Sequence, residues 1–519
     1  MTQASTTHAY DSKFAQWAVL IGSMAGVLMQ ALDTTIANVA LPYMQGSLSA
    51  SQDQINWVLT SYIVAAAIMT APVGWIANRF GRKRTFIICS AGFTFASVLC
   101  GLAQDINQMV LFRLLQGMFG AALVPLSQAV MLDAYALHER AKAMSIWGMG
   151  VMMGPIMGPS LGAWLTETYS WHWVFFVNLP FGIITVLGLL TFMEETRADR
   201  GMRFDWFGFA ALAVGIGAMQ LALDRGEQLG WLESNEIIAE IIVSIIGFYY
   251  FFAHSFTTEK PFIQFAIFKD RNFISGCVFM AVMGLVLFST MALSSPYLQN
   301  VIGYPIITAG LLLASRGCGT FVAMMLVGRL MRYIEARNLI IGGLGLTGLS
   351  LFYMTGWTDQ TQVDEIVTWS IVQGFGFGLV FVPLSTVAFL TLPNHLRTDG
   401  TSMLTLLRNV ASSIGISIVI AQLTEGAQRV HAVLNEHVTP FNQALQMPDV
   451  RGIINLSTDA GRALADVMLN LQAQIIAFSL DYQMVMIFTL CTIPFALMIG
   501  STKAALRAQS VSAEHAVIE

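Results

Sequence analysis

Blocks of about twenty consecutive apolar residues recur along this chain, and no other feature restricts its folding so strongly. At 1.5 Å rise per residue, a helix needs about that many to cross a hydrocarbon core roughly 30 Å thick. Blocks of this length are helical spans, not strands. Charged residues make up 11 % of the 519 and hydrophobic residues 55 %, whereas soluble domains carry roughly 25 % charged residues. The chain therefore requires a lipid bilayer around it and reads as an all-α membrane protein. Its net charge of −5 hides clustered basic residues, and nothing in that pattern points to nucleic acid.

Between charged or turn-rich breaks the predicted spans lie near 14–41, 54–77, 85–104, 106–131, 142–166, 173–193, 205–223, 236–255, 272–298, 306–331, 338–357, 366–391, 400–424 and 478–502. Alternate loops differ sharply in Lys and Arg content. One set holds Arg79, Arg82, Lys83 and Arg84; Arg140 and Lys142; Arg197, Arg200 and Arg203; Lys260, Lys269 and Arg271; Arg329, Arg332 and Arg337; and Arg397. The positive-inside rule makes these loops cytoplasmic. Both termini, with Lys13, Lys503 and Arg507, then fall on the same side, which requires an even number of spans. The first apolar block has no small-residue cleavage site and reads as an uncleaved span. Fourteen crossings of the membrane are expected. The longest stretch on the other side, 425–477, is polar with Pro440 and Pro448 and reads as a small helical cap or as a partner-docking surface.

An internal repeat divides the chain. Pro42-Tyr43-Met44-Gln45 returns as Pro296-Tyr297-Leu298-Gln299, and Gln116-Gly117 with Val124-Pro125-Leu126-Ser127 returns as Gln373-Gly374 with Val382-Pro383-Leu384-Ser385. His138 and Arg140 match His395 and Arg397, and Gly74 corresponds to Gly328. Parallel repeats of this kind imply two related halves around a central site. The expected domains are a six-helix half over 1–200, an inserted helix pair over 201–258, and a second six-helix half over 259–519.

Asp33 lies deep in span 1, where an ionisable residue costs roughly 2.5–3.5 kcal/mol on insertion scales. Gln30, Asp33, Thr34, Ala37 and Asn38 share one helix face and should line a cavity. Arg113 in span 4 is the expected partner, since both residues fall roughly 10–14 Å below the same membrane face at helical rise. Moving Arg113 relative to Asp33 would switch the acid between releasing and holding a proton. A fixed structural pair is the plainer alternative. Arg316 and Arg408 are the other arginines inside spans, and with Gln116 and Gln373 they are candidates to face the cargo.

Gly150, Gly154, Gly158 and Gly162 recur every four residues with Pro155 and Pro159 between them. Such a ribbon admits another helix to backbone contact, for packing or for gating. The tight turn containing Gly74, Asn78, Arg79, Gly81 and Arg82 reads as a topology anchor or a gate, and the aromatic cluster Trp171 to Phe176 as a membrane anchor. Cys89, Cys100, Cys277, Cys318 and Cys491 have no metal-ligand spacing and read as packing residues.

Taken together these segments resemble the drug:proton antiporters of the major facilitator superfamily, in the fourteen-span branch that contains EmrB-type efflux subunits. The resemblance rests on Leu32 through Pro42, Arg113 with Gln116-Gly117, Gly150 through Gly162, Trp171 through Pro180 with Asn178, and Leu223-Asp224-Arg225-Gly226. It implies the superfamily fold with two six-helix halves and an inserted pair. It also implies antiport driven by the proton gradient without a cofactor, export of lipophilic drugs, and a periplasmic adaptor with an outer-membrane channel. Asn78 departs from the superfamily pattern, which usually has aspartate there, and puts a carboxylate gate at that turn in question.

Two other readings compete with it. The same fold exporting an endogenous metabolite or lipid leaves no distinguishing mark in the sequence. A membrane-embedded enzyme or receptor is disfavoured: there is no HExxH, GxSxG or GxxxxGK[ST] and no paired His or Cys set. Spans 9 to 13 contain arginines but no interior acid, so Asp33 counts as the central acid and the cargo should be neutral or weakly charged rather than a dication.

Overall fold

The computed structural model describes residues 13–498 apart from 136–138, 196–200, 202, 259–260, 262, 394–395, 440 and 448–453. His138, Arg197, Arg200, Lys260, His395, Pro440, Pro448, Lys503 and Arg507 lie outside the described residues. Fourteen long helical segments follow one another, and among the described residues eleven of them, or twelve with the bent α2, are long and apolar enough to cross a membrane: α1 (Lys13–Ser47), α2 (Gln52–Thr70, continued as Val73–Phe80 after a 56° bend), α3 (Arg82–Gly101), α4 (Ile106–Gly120 and Leu123–Ala134), α5 (Arg140–Thr168), α6 (Trp173–Phe176 and Asn178–Phe192) and α7 (Trp206–Leu229). Then come α8 (Asn235–Thr257), α9 (Arg271–Pro296), α10 (Ile306–Leu330), α11 (Ala336–Met354), α12 (Val363–Ala388), α13 (Arg397–Asn435) and α14 (Asp459–Thr492).

Local chemistry sets the breaks. Pro125 and Pro180 each lack the N–H that would bond four residues back, and α4 and α6 interrupt at Ala121–Ala122 and Val177, just upstream. Gly81, at φ +93°, ends α2 in a conformation that side chains disfavour, and α3 starts at the next residue. Ser51 and Gln54 form a reciprocal capping box at the start of α2, and Asp105, Asp205, Asp270 and Thr458 cap α4, α7, α9 and α14.

The helix contacts repeat between the halves. In the first half α1 packs on α5 and α6, α2 on α4, and α3 on α4 and α6; in the second, α9 packs on α13 and α14, α10 on α12, and α11 on α12 and α14. Across the seam α5 meets α10, and α13 meets both α2 and α4. The inserted pair α7–α8 lies against α2 and α13 through α7, where Gln220 donates to Ser413 Oγ at 2.9 Å and Ser417 donates to the Leu223 carbonyl at 2.6 Å.

Most of the described part of 425–477 is helical and continues α13 and α14. No proline interrupts α13, which runs on to Asn435, while α14 begins as early as Asp459. A helix of 39 residues measures about 58 Å at helical rise, so α13 extends well beyond a bilayer. The two extensions pack antiparallel, with Gly426 against Ala477 and His431 Nε2 at 3.1 Å from Asp466 Oδ1.

Candidate functional site

Asp33 and Arg113, 80 residues apart, meet inside the first half. Arg113 Nη1 donates to Asp33 Oδ2 at 2.6 Å, and both side chains are fully buried. The other carboxylate oxygen accepts from Gln116 Nε2 at 2.7 Å and from Asn178 Nδ2 at 3.1 Å. Arg113 also donates to the Val58 carbonyl at 3.0 Å and to Gln116 Oε1 at 2.8 Å, and its guanidinium sits 4.3 Å from the Tyr62 ring and 5.6 Å from that of Phe175. Charge, donors and aromatic faces thus enclose the pair from four helices: α1, α2, α4 and α6.

The polar face of α1 opens away from this cluster by degrees. Gln30 reaches Tyr62 Oη at 3.4 Å, Thr34 bonds back to the Ala31 carbonyl at 2.8 Å, and Asn38 is exposed. Ala37 is buried, so this face does not line a cavity along its full length. Asn178 comes to Asp33 because Ser97 on α3 holds it at 3.0 Å, and Ser97 in turn donates to the Phe175 carbonyl. The aromatic cluster therefore does more than anchor: Trp171 and Phe175 are buried, while Trp173 remains exposed. His172 stacks on Trp171 at 3.8 Å between centroids, and partial burial pushes its imidazole below the ordinary histidine value.

At the face carrying the basic loops, carboxylates close the seam between the halves. Asp133 pairs with Arg82 of its own half and, at 2.9 Å, with Arg397 of the other. Asn78 places its amide 3.5 Å from both oxygens of Asp399, and Gly74 lies so near Asp399 that an added Cβ would clash with it. The acid missing at Asn78 is thus supplied by Asp133 and Asp399, which sequence reading passed over because each sits at a helix end near a span boundary. The Arg79 guanidinium lies over Trp75 and Phe80, and beside Gly81 the Lys83 and Arg84 amides bond Glu195. Gly328, the counterpart of Gly74, comes close to Ser145 on α5.

The glycine ribbon faces α1. A Cβ on Gly154 would enter the backbone of Ala31, one on Gly158 would meet Thr35, and one on Gly162 would meet Ile36; Gly150 has slightly more room beside Met24. Thr35 Oγ1 donates to the Gly154 carbonyl at 3.2 Å. Pro155 and Pro159 remain inside α5 without breaking it. On the other side of α5, Ile156 and Ser160 press against Gly317 and Gly310 of α10. The ribbon is a packing surface within one half on a helix that also contacts the other.

Arg316, Gln373 and Arg408 stay apart from the Asp33 cluster. Arg316 is buried and donates to Ser294 Oγ at 3.1 Å; Arg408 reaches Asn409 Oδ1 at 3.3 Å; Gln373 is wholly buried. One acid escaped the count made above. Asp481 in α14 is fully buried, and among the described residues neither of its oxygens has a hydrogen-bond partner.

Comparison with known proteins follows from this geometry. The Major Facilitator Superfamily profile matches residues 23–416. The multidrug export protein EmrB of Escherichia coli K12 is 35 % identical over 422 residues, 80 % of this chain and 82 % of that one. The fatty acid resistance protein FarB of Neisseria gonorrhoeae is 33 % identical over 431 residues, covering 83 % and 85 %. The proton:xylose symporter XylE superposes with a TM-score of 0.57 at 14 % identity, over 94 % of this chain and 97 % of that one.

Proposed function

This chain belongs to the major facilitator superfamily, as an EmrB-type multidrug transporter, and from that premise we propose that it exports lipophilic compounds in exchange for protons, with Asp33 carrying the proton. The observation that carries this reading is the buried Asp33–Arg113 pair with Gln116 and Asn178 around it. A carboxylate with three donors, one of them a guanidinium, is balanced as it stands. Protonating Asp33 would leave the Arg113 charge unmatched in a dry site, so uptake of a proton requires Arg113 to shift. The interruption of α4 at Ala121–Ala122 and the seam closed by Asp133 and Asp399 supply the moving parts. Proton binding from one side and release to the other then alternate with opening of the seam.

The basic face is cytoplasmic in this reading, with both termini on it, and the membrane is the bacterial inner membrane. The α13–α14 extension then projects into the periplasm, with Val433, Val467 and Met468 exposed on it, and offers a contact for a periplasmic adaptor that leads to an outer-membrane channel. Export by an Asp33→Asn variant tests the coupling role. The amide fills the same space but carries no proton, so gradient-driven efflux from vesicles should vanish while the protein still inserts. Gradient-dependent efflux at the wild-type rate would remove Asp33 from the mechanism.

A further inference from the structure

The two halves share a backbone contact and differ in the side chains that stand on it. In the first half, a Cβ on Gly117 would run into the carbonyl of Tyr62; in the second, a Cβ on Gly374 would run into that of Arg316. Gly374 follows Gly117 by 257 residues and Arg316 follows Tyr62 by 254, the same offsets as in the sequence repeat. Arg316 therefore occupies the place that Tyr62 holds beside Arg113. The same offsets put Leu287 where Asp33 stands and Ser370 where Arg113 stands. The second half keeps a buried arginine, moved to a neighbouring helix, and has lost the acid that would balance it.

What surrounds Arg316 does not replace that acid. Its Nη2 donates to Ser294 Oγ, which meets Tyr482 Oη at 3.2 Å, and its buried Nε has no partner among the described residues. Tyr482 is the titratable side chain that faces it, and Tyr297 and Asp481 act on Tyr482 in turn; among the described residues no carboxylate lies within ion-pair distance of Arg316. One residue before the Gly374 contact, Gln373 is wholly buried, and among the described residues neither its amide atoms nor the Ser370 hydroxyl one turn earlier has a partner. Arginine does not shed its proton in a protein. An isolated guanidinium in a low-dielectric site is costly until a negative charge joins it.

We propose that Arg316, with Ser294 and Gln373, forms a subsite for the ionised acid group of the cargo, so that the compounds carried include lipophilic carboxylic acids and similarly ionised amphiphiles. The first half supplies its arginine with an acid from the chain; the second leaves that role to the ligand. This rests on the export reading and narrows its substrate class. Exporting one anion while admitting one proton moves two charges per cycle, so the membrane potential drives it more strongly than it drives a neutral cargo.

The test uses the purified full-length protein with pyrenebutanoate and its carboxamide, a pair matched in shape. Wild type should bind the carboxylate about tenfold tighter than the amide or better, the scale of a charge-assisted contact. Arg316→Gln should erase that preference while amide affinity stays within about twofold, and Arg316→Lys should retain part of it. Amide binding also reports that each variant is folded. Equal binding of the two compounds by wild type, an unchanged preference in Arg316→Gln, or equal loss of both ligands would overturn the subsite. Asp481→Asn should leave the preference within about twofold; a gain of about tenfold would show that Asp481 already neutralises Arg316, which also overturns it. Gradient-driven efflux of the amide by wild-type proteoliposomes checks the export reading separately, since its absence would sink that reading and leave the binding preference standing.

Discussion

Asp33 accepts from three donors on two other helices, and each of them answers a different need. Arg113 balances its charge, Gln116 bridges acid and base, and Asn178 holds the second oxygen from α6. Removing one partner of a buried pair strands the other charge at a cost of about 3–5 kcal/mol. Arg113→Ala should therefore abolish transport, whereas Arg113→Lys should restore only part of it, because lysine has the charge without the planar fork that also reaches Val58 and Gln116. Initial efflux rates from vesicles with matched expression would show this order; equal rates for wild type, Ala and Lys would mean that the pairing has no part in coupling. The pair itself was readable from depth along two helices. Tyr62, Ser97 and Phe175 were not, since a tyrosine, a serine and a phenylalanine inside apolar spans look like ordinary packing until the helices are assembled.

At the scale of the element, α5 shows why four glycines recur at intervals of four. The spacing puts them on one face, and that face meets α1 at Ala31, Thr35 and Ile36. Gly154→Val should push α1 away and displace Asp33 two residues from that contact, at an overpacking cost of about 1–3 kcal/mol or more. The expected readout is a lower melting temperature in detergent together with loss of transport, while Gly345→Ala on α11, where an added Cβ meets nothing within 4 Å, changes neither. A Gly154→Val protein with wild-type melting and transport would show that the close approach of α1 and α5 is dispensable. Sequence periodicity identified the ribbon without saying which helix it receives, because small residues admit any neighbour.

For the whole molecule, the extension of α13 and α14 is the surface on which the proposed adaptor would dock. Replacing residues 436–458 with a short flexible link should leave gradient-driven transport in vesicles intact, since the Asp33 and Arg316 regions lie elsewhere. Cross-linking to the proposed adaptor and resistance in cells should both fall, and unchanged values of both would end the docking role. The sequence by itself determined the solvent of this protein, the doubling of its halves and the presence of one buried acid–base pair. Those follow from properties that run along the chain: hydrophobic length, loop charge, repeat offset and helical rise. Only the tertiary structure decided that Asp133 and Asp399 close the seam in place of the acid missing at Asn78, that 425–435 and 459–477 prolong two helices, and that among the described residues Arg316 lacks a carboxylate while Asp481 lacks a donor. The reason is physical: a charge is satisfied or stranded by what other helices bring within about 3–4 Å of it, and distance along the chain does not fix those encounters.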